Sequence, residues 1–132
     1  MRKILFVCVE NAGRSQMAEA FARRFGADAM SAGAVPSSSV NPMVAEAMGE
    51  RGISLSDYKP KMLTDKMVEE ADYVVTMGCS VESVCPKPLV LAKGKKLIEW
   101  HIEDPKGKPI EEVRRIRSDI ERKVFGLLKE MG

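Results

Sequence analysis

Apolar and polar positions change period several times along the chain, and each change marks an element. The stretch Lys3 to Val7 is dominated by an unbroken apolar run, the pattern of a strand covered on both faces. From Arg14 the spacing widens. Met17, Phe21 and Phe25 recur every four residues with Ala18 and Ala22 beside them, a single helical stripe that Gly26 is placed to end. Ala29 to Ala32 reads as a second short strand, followed by the polar loop VPSSSVNP. Asn41 before Pro42 is a helix start, and Val44, Ala47 and Met48 carry that helix to Gly52. Thr64 to Ala71 reads as a further short helix. The β-branched run Tyr73 to Met77 and the segment Lys96 to Trp100 read as strands three and four. After Pro109, the residues Ile110, Val113, Ile116, Ile120, Val124, Leu127 and Met131 step by three and four. They mark a long terminal helix with Glu111 and Glu112 in its first turn, where the helix dipole favours acids.

Strand and helix alternate, so the expected class is α/β. The expected architecture is a three-layer α/β/α sandwich on a four-stranded parallel sheet, in the flavodoxin-like order 2-1-3-4 with right-handed crossovers. One domain spanning residues 1–132 is expected, long enough to bury about two thirds of the surface its unfolded chain exposes. Composition changes this picture little. Lys and Arg number 21 against 19 Asp and Glu, a net charge of +2, which points to neither nucleic acid nor membrane as a partner. The N-terminus MRKILFVCVE turns polar too soon for a secretory signal, so a cytoplasmic protein is expected. Three cysteines fit a static disulfide framework poorly and suit catalytic or redox work instead.

The informative stretch is CVENAGRS at 8–15. Cys8 closes strand 1 and Arg14 opens the following helix, at the carboxyl edge where such sheets bind ligands. A loop this short can turn its amide N–H groups inward as an anion nest, to which the first helical turn adds donors and the positive dipole end. Arg14 can clamp two oxygens of a tetrahedral oxyanion through its planar fork. The same positive field favours an ionised Cys8 sulfur as nucleophile, and Ser15 can donate a hydrogen bond to it. Asn11 and Gly13 suit the positive-φ positions that such a loop needs. The expected oxyanion site is therefore Val9, Glu10, Asn11, Ala12, Gly13, Arg14 and Ser15 around Cys8.

CVENAGRSQMAE resembles the active-site loop and first helix of the low-molecular-weight protein tyrosine phosphatase superfamily, which includes the thioredoxin-coupled arsenate reductases. SAG at 31–33, NPMVAEAM at 41–48, VVTMGC at 74–79 and Asp104-Pro105 extend the resemblance along the chain. It implies the phosphotyrosine phosphatase I-like fold, with Asp104 as the general acid that protonates the leaving oxygen. Cys79 and Cys85, in CSVESVCP, resemble the second and third cysteines of the reductases, at a spacing one residue shorter than usual in them. The resemblance then implies a relay. Cys8 attacks arsenate, Cys79 attacks Cys8 as arsenite leaves, and Cys85 attacks Cys79 to leave a 79–85 disulfide for thioredoxin to reduce. A helical 79–85 segment would separate the two Cα atoms by about 9 Å, at ~1.5 Å per residue. A disulfide needs roughly 4.4–6.8 Å, so the segment must loop or unwind in turnover.

The expected partners are an arsenate, phosphate or sulfate oxyanion and thioredoxin, with the protein acting as a monomer. No cofactor or metal is expected. Asn11, Glu19, Ser31 and Asp65 match oxygen ligands of a potassium site in some reductases of this resemblance, but read equally as hydrogen-bonding loop supports. His101 is the only histidine. A phosphatase working through a phosphocysteine on Cys8 is the alternative, and a phosphocysteine carrier a remoter one in which Asp104 has no task. The phosphatases tend to carry a tyrosine after Asp-Pro, where this chain has Lys106.

Overall fold

The computed structural model describes residues 2–78 and 94–131. Strands β1 (Lys3–Cys8), β2 (Asp28–Gly33), β3 (Tyr73–Met77) and β4 (Lys96–Trp100) form one sheet in the order β2-β1-β3-β4, every pair parallel. Helices α1 (Arg14–Arg24), α2 (Pro42–Gly49), α3 (Asp65–Glu70) and α4 (Ile110–Met131) lie between and after the strands. The expected class, order and strand placements all hold.

The continuous apolar run of β1 is explained by its central position. Ile4, Phe6 and Cys8 join one core with Met17, Phe21, Val44, Met48 and the α4 stripe Val113, Ile116, Ile120, Val124 and Leu127. Leu5 and Val7 face the other way, into a smaller cluster with Ala32, Val68, Ala71 and Val74 under α3. α4 packs across α1 and α2 on the first face. Each fully buried Ile or Val in the α4 stripe contributes roughly 1.5–3 kcal/mol, which is what fixes a helix whose outer face is almost wholly charged.

Two local expectations need correction. α2 ends at Gly49, three residues short of Gly52, because Glu50 caps it and Gly52 turns the chain at φ +75. Gly13 sits at φ −142 and ψ −86, so its φ is negative, contrary to the expectation, but the pair falls outside the regions that other residues favour. Crowding adds to that demand for glycine, since a Cβ there would lie 2.9 Å from Pro105 Cγ.

Glu50 ties α2 to α4 and gives the fold an acid-sensitive joint. Its carboxylate accepts hydrogen bonds from Arg114 Nε (3.0 Å) and Nη2 (2.6 Å), and from Arg117 Nη1 (2.9 Å). The Arg114 bonds first, then those of Arg117, hold Glu50 down from 4.5 to about 2. A depressed carboxylate stabilises the fold fully above its unfolded value and loses that contribution as pH falls through its folded one. Glu50→Gln should therefore be less stable than the wild type at pH 7, and the urea midpoints of the two should converge as pH falls from about 4.5 to 2.

Candidate active site

The register sets the geography. Cys8 pairs with Gly33, Val7 with Thr76, and Met77 with Trp100, so all four strands end at one edge. From that edge emerge the 9–13 loop, the 34–41 loop and the 101–109 loop. Together they line a cavity of about 320 Å³ that includes Cys8, Glu10, Arg14, Ser37, Asp104 and Lys106.

Residues 9–13 are held from outside. The carbonyls of Val9, Glu10 and Ala12 accept hydrogen bonds from the N–H groups of Val35, Ser37 and Asn41, each at 2.9 Å. A trans peptide sets its N–H opposite its C=O, so the N–H of the residue after each carbonyl is turned away from the 35–41 segment. That is the arrangement of an anion nest. α1 begins directly from it with no side-chain cap, whereas Asn41 caps α2 and Thr64 caps α3. Its first-turn donors are thus left for a ligand.

Cys8 is buried, and its Sγ lies 2.9 Å from Ser15 Oγ. The network behind that contact orients its partners. Asn11, in the left-handed conformation at φ +52, accepts the Lys61 backbone N–H on Oδ1 at 2.9 Å. This fixes the amide, so Asn11 Nδ2 donates to Ser15 Oγ at 2.6 Å. With Asn11 Nδ2 supplying a proton to its oxygen, Ser15 keeps its own proton available to an ionised Cys8 sulfur. Gln16 secures the loop further, Nε2 reaching Asn11 O at 3.0 Å and Oδ1 at 3.1 Å. All of Asn11, Ser15 and Gln16 are fully buried, so the network holds its geometry without competing water.

Arg14 is also buried, its Nη1 donating to the Ile102 carbonyl at 3.1 Å and its Nη2 lying 3.6 Å from Asp104 Oδ2. Asp104 is half exposed and accepts the Lys106 N–H on Oδ1 at 3.0 Å, a local turn that orients the carboxyl. Its loop is anchored to α4 through Glu103, which meets Lys108 at 3.2 Å and Arg115 at 3.0 Å. Those two cations, Lys108 foremost, hold Glu103 below the usual carboxylate range. Glu10 lies at the mouth and accepts from Lys106 Nζ at 2.9 Å, a contact that pushes the Lys106 ammonium up. The carboxylate inside the anion loop is thus neutralised across the cavity by a side chain from the Asp104 loop.

The structure brings Cys8, Val9, Glu10, Ala12, Gly13, Arg14 and Asp104 to one cavity, whereas Asn11 and Ser15 are fully buried and support the loop from behind. Cys79 and Cys85 lie outside the described residues. Sequence reasoning missed Gln16, Lys61, the Ile102 carbonyl and the Glu10–Lys106 pair. Their partners are between five and 96 positions away, and no local pattern announces them. Glu19 accepts from Ser31 Oγ at 2.6 Å and faces Arg23 at 2.9 Å and Lys61 at 3.8 Å, so two cationic side chains already approach it. Among the described residues no group of three or more His, Cys, Asp or Glu side chains is placed to hold a metal, and no helix is long and apolar enough to cross a membrane.

Comparison with known proteins agrees with this geometry. A Halobacterium salinarum protein provisionally named an arsenate reductase is 38% identical over 98% of this chain and 93% of its own length. An arsenate reductase of Staphylococcus aureus is 35% identical over 90% of each chain. Among solved structures, a thioredoxin-dependent arsenate reductase of Corynebacterium glutamicum superposes with a TM-score of 0.80 at 38% identity. That match covers 98% of this chain, which spans only 61% of the Corynebacterium protein. An arginine phosphatase of Geobacillus stearothermophilus shares the fold with a TM-score of 0.86 at 25% identity, over 99% of this chain and 93% of its own. The model of the low molecular weight phosphotyrosine protein phosphatase family matches residues 3–132, and the chain belongs to that family.

Proposed function

We propose that this protein is a thioredoxin-linked arsenate reductase, working as a monomer in the cytoplasm, where thiols are kept reduced. The observation that carries the reading is the strand register. β3 ends level with β1 at the edge that carries Cys8, and the sequence runs on from β3 through Gly78 to Cys79. Named relatives of both the reductase and the phosphatase kind share this scaffold. The two extra cysteines favour the reductase.

In the first step the Cys8 thiolate attacks arsenic, forming an S–As bond as one oxygen departs as water, protonated by Asp104. The nest and Arg14 hold the remaining oxygens. Cys79 then attacks Cys8 Sγ. The S–As bond breaks with its electron pair going to arsenic, so As(V) leaves as As(III) and a Cys8–Cys79 disulfide forms. Cys85 attacks Cys79, freeing the Cys8 thiolate, and the 79–85 disulfide is reduced by the thioredoxin dithiol.

Phosphate ester hydrolysis through the same cysteine is the second reading, since the nest and Arg14 accept phosphate as readily. The mouth argues against large aryl esters. It is spanned by the Glu10–Lys106 ion pair, and no aromatic side chain lines it among the described residues. The deciding assay couples the protein to thioredoxin, thioredoxin reductase and NADPH. Arsenate-dependent NADPH oxidation that stops when thioredoxin is omitted supports the reductase. Brisk release of a phenol from an aryl phosphate without arsenate turnover would overturn it.

Gly13→Ala probes Asp104. The new methyl meets the rigid Pro105 ring at 2.9 Å and pushes the acid loop outward. Displacing a proton donor by about 1 Å should lower kcat by roughly 10- to 100-fold. The thioredoxin-coupled NADPH assay reads the loss, and a kcat within about twofold of the wild type would count against Asp104 as the acid.

A further inference from the structure

Gly78 follows β3 directly and precedes Cys79 in the chain. Its backbone is left-handed, at φ +86. A Cβ at this position would lie 2.2 Å from Arg14 Nη1, 3.3 Å from Arg14 Cζ and 3.5 Å from the Ile102 carbonyl oxygen. The guanidinium therefore fills the space that any side chain at 78 would need. An arginine tip can usually swing aside, but this one is 8% exposed and bonded to the Ile102 carbonyl at 3.1 Å. Moving it aside would break that bond and turn the fork away from the cavity.

We infer that Gly78 is a positioning residue for the anion clamp: its bare backbone, at the end of β3, and the Ile102 carbonyl, beyond the end of β4, together form the seat that aims the Arg14 guanidinium at the bound oxyanion. The inference rests on Arg14 being that clamp. It adds a steric demand at position 78 that is separate from the demand of its backbone angle. Gly52 tells the two apart. It has nearly the same φ, +75, but a Cβ there meets nothing within 4 Å. Both glycines face the same backbone strain on substitution, and only Gly78 faces the guanidinium.

The test titrates inorganic phosphate into the intact protein by calorimetry. Gly78→Ala is expected to weaken phosphate binding by about tenfold or more, the scale of a lost charge-assisted hydrogen bond. Gly52→Ala should lose stability to a similar degree yet bind phosphate within about twofold of the wild type. In an Arg14→Ala background, Gly78→Ala should change phosphate affinity by less than about twofold, because the clash partner is gone. Gly78→Asn, which tolerates the left-handed backbone but still carries a Cβ, should lose the same affinity as the alanine variant and guards against a folding failure. Wild-type affinity in a folded Gly78 variant would overturn the inference, as would an equal loss with and without Arg14. A wild type that binds no phosphate at all would instead overturn the reading of Arg14 as the clamp, and the seat with it.

Discussion

Replacing Cys8 with serine is expected to abolish arsenate-dependent turnover, by roughly 10⁴-fold or more, the scale on which a covalent nucleophile matters. A serine hydroxyl is not ionised by the field of the nest, and it cannot form the thiol-arsenic bond through which electrons reach the metalloid. The variant should keep its fold. The sulfur lies in a core position against Ser15 Oγ at 2.9 Å, and a hydroxyl there can share the same hydrogen bond at shorter range. Phosphate should still bind, since the nest, the first turn of α1 and Arg14 are unchanged. The measurement pairs the thioredoxin-coupled NADPH assay with a phosphate titration. Turnover within about tenfold of the wild type in a variant that still binds phosphate would rule out Cys8 as the nucleophile.

The second large effect separates the two downstream cysteines. Cys79→Ser should release no arsenite, because nothing displaces arsenic from Cys8. Cys85→Ser should release one arsenite per protein molecule and then stop, leaving a Cys8–Cys79 disulfide with no internal thiol to resolve it. Rapid mixing with arsenate, followed by arsenite counting and mass mapping of the disulfide, distinguishes the two. Identical behaviour of both variants, or continued cycling of either with thioredoxin, would break the proposed order. Aryl phosphate hydrolysis, if the protein has any, should survive both substitutions, since neither cysteine is needed to open a phosphocysteine.

Most of the fold was legible because its signals are local. The apolar run of β1, the Met17 and Phe21 stripe of α1 and the long stripe of α4 each reflect which faces the element buries, while Phe25, read as part of the α1 stripe, lies exposed at its end. Alternation of strand and helix pointed to a parallel sheet, and the flavodoxin-like pattern that four strands suit supplied the order 2-1-3-4. The anion loop was legible too, since Cys8, Asn11, Arg14 and Ser15 lie within eight positions and their roles follow from residue type and spacing. What escaped notice depends on distant pairing. Nothing near Glu10 in the sequence announces that Lys106 offsets its charge, and Asn11 could not be oriented without the Lys61 backbone. Gly13 was read as a positive-φ position; its φ is negative, and a distant neighbour, Pro105, adds a demand for room that the sequence did not announce. The end of α2 was placed at a glycine when Glu50, held by Arg114 and Arg117 of α4, caps it earlier.

The uncapped start of α1 has a consequence for selectivity. A ring of amides and one guanidinium measures size, tetrahedral shape and negative charge, and in these respects arsenate and phosphate are near twins. Such a receptor cannot reject the commoner anion at the door. Discrimination has to come later, from the element at the centre of the guest: arsenic can take up an electron pair and depart in a lower oxidation state, whereas phosphorus bound to the same sulfur can only return to water unchanged.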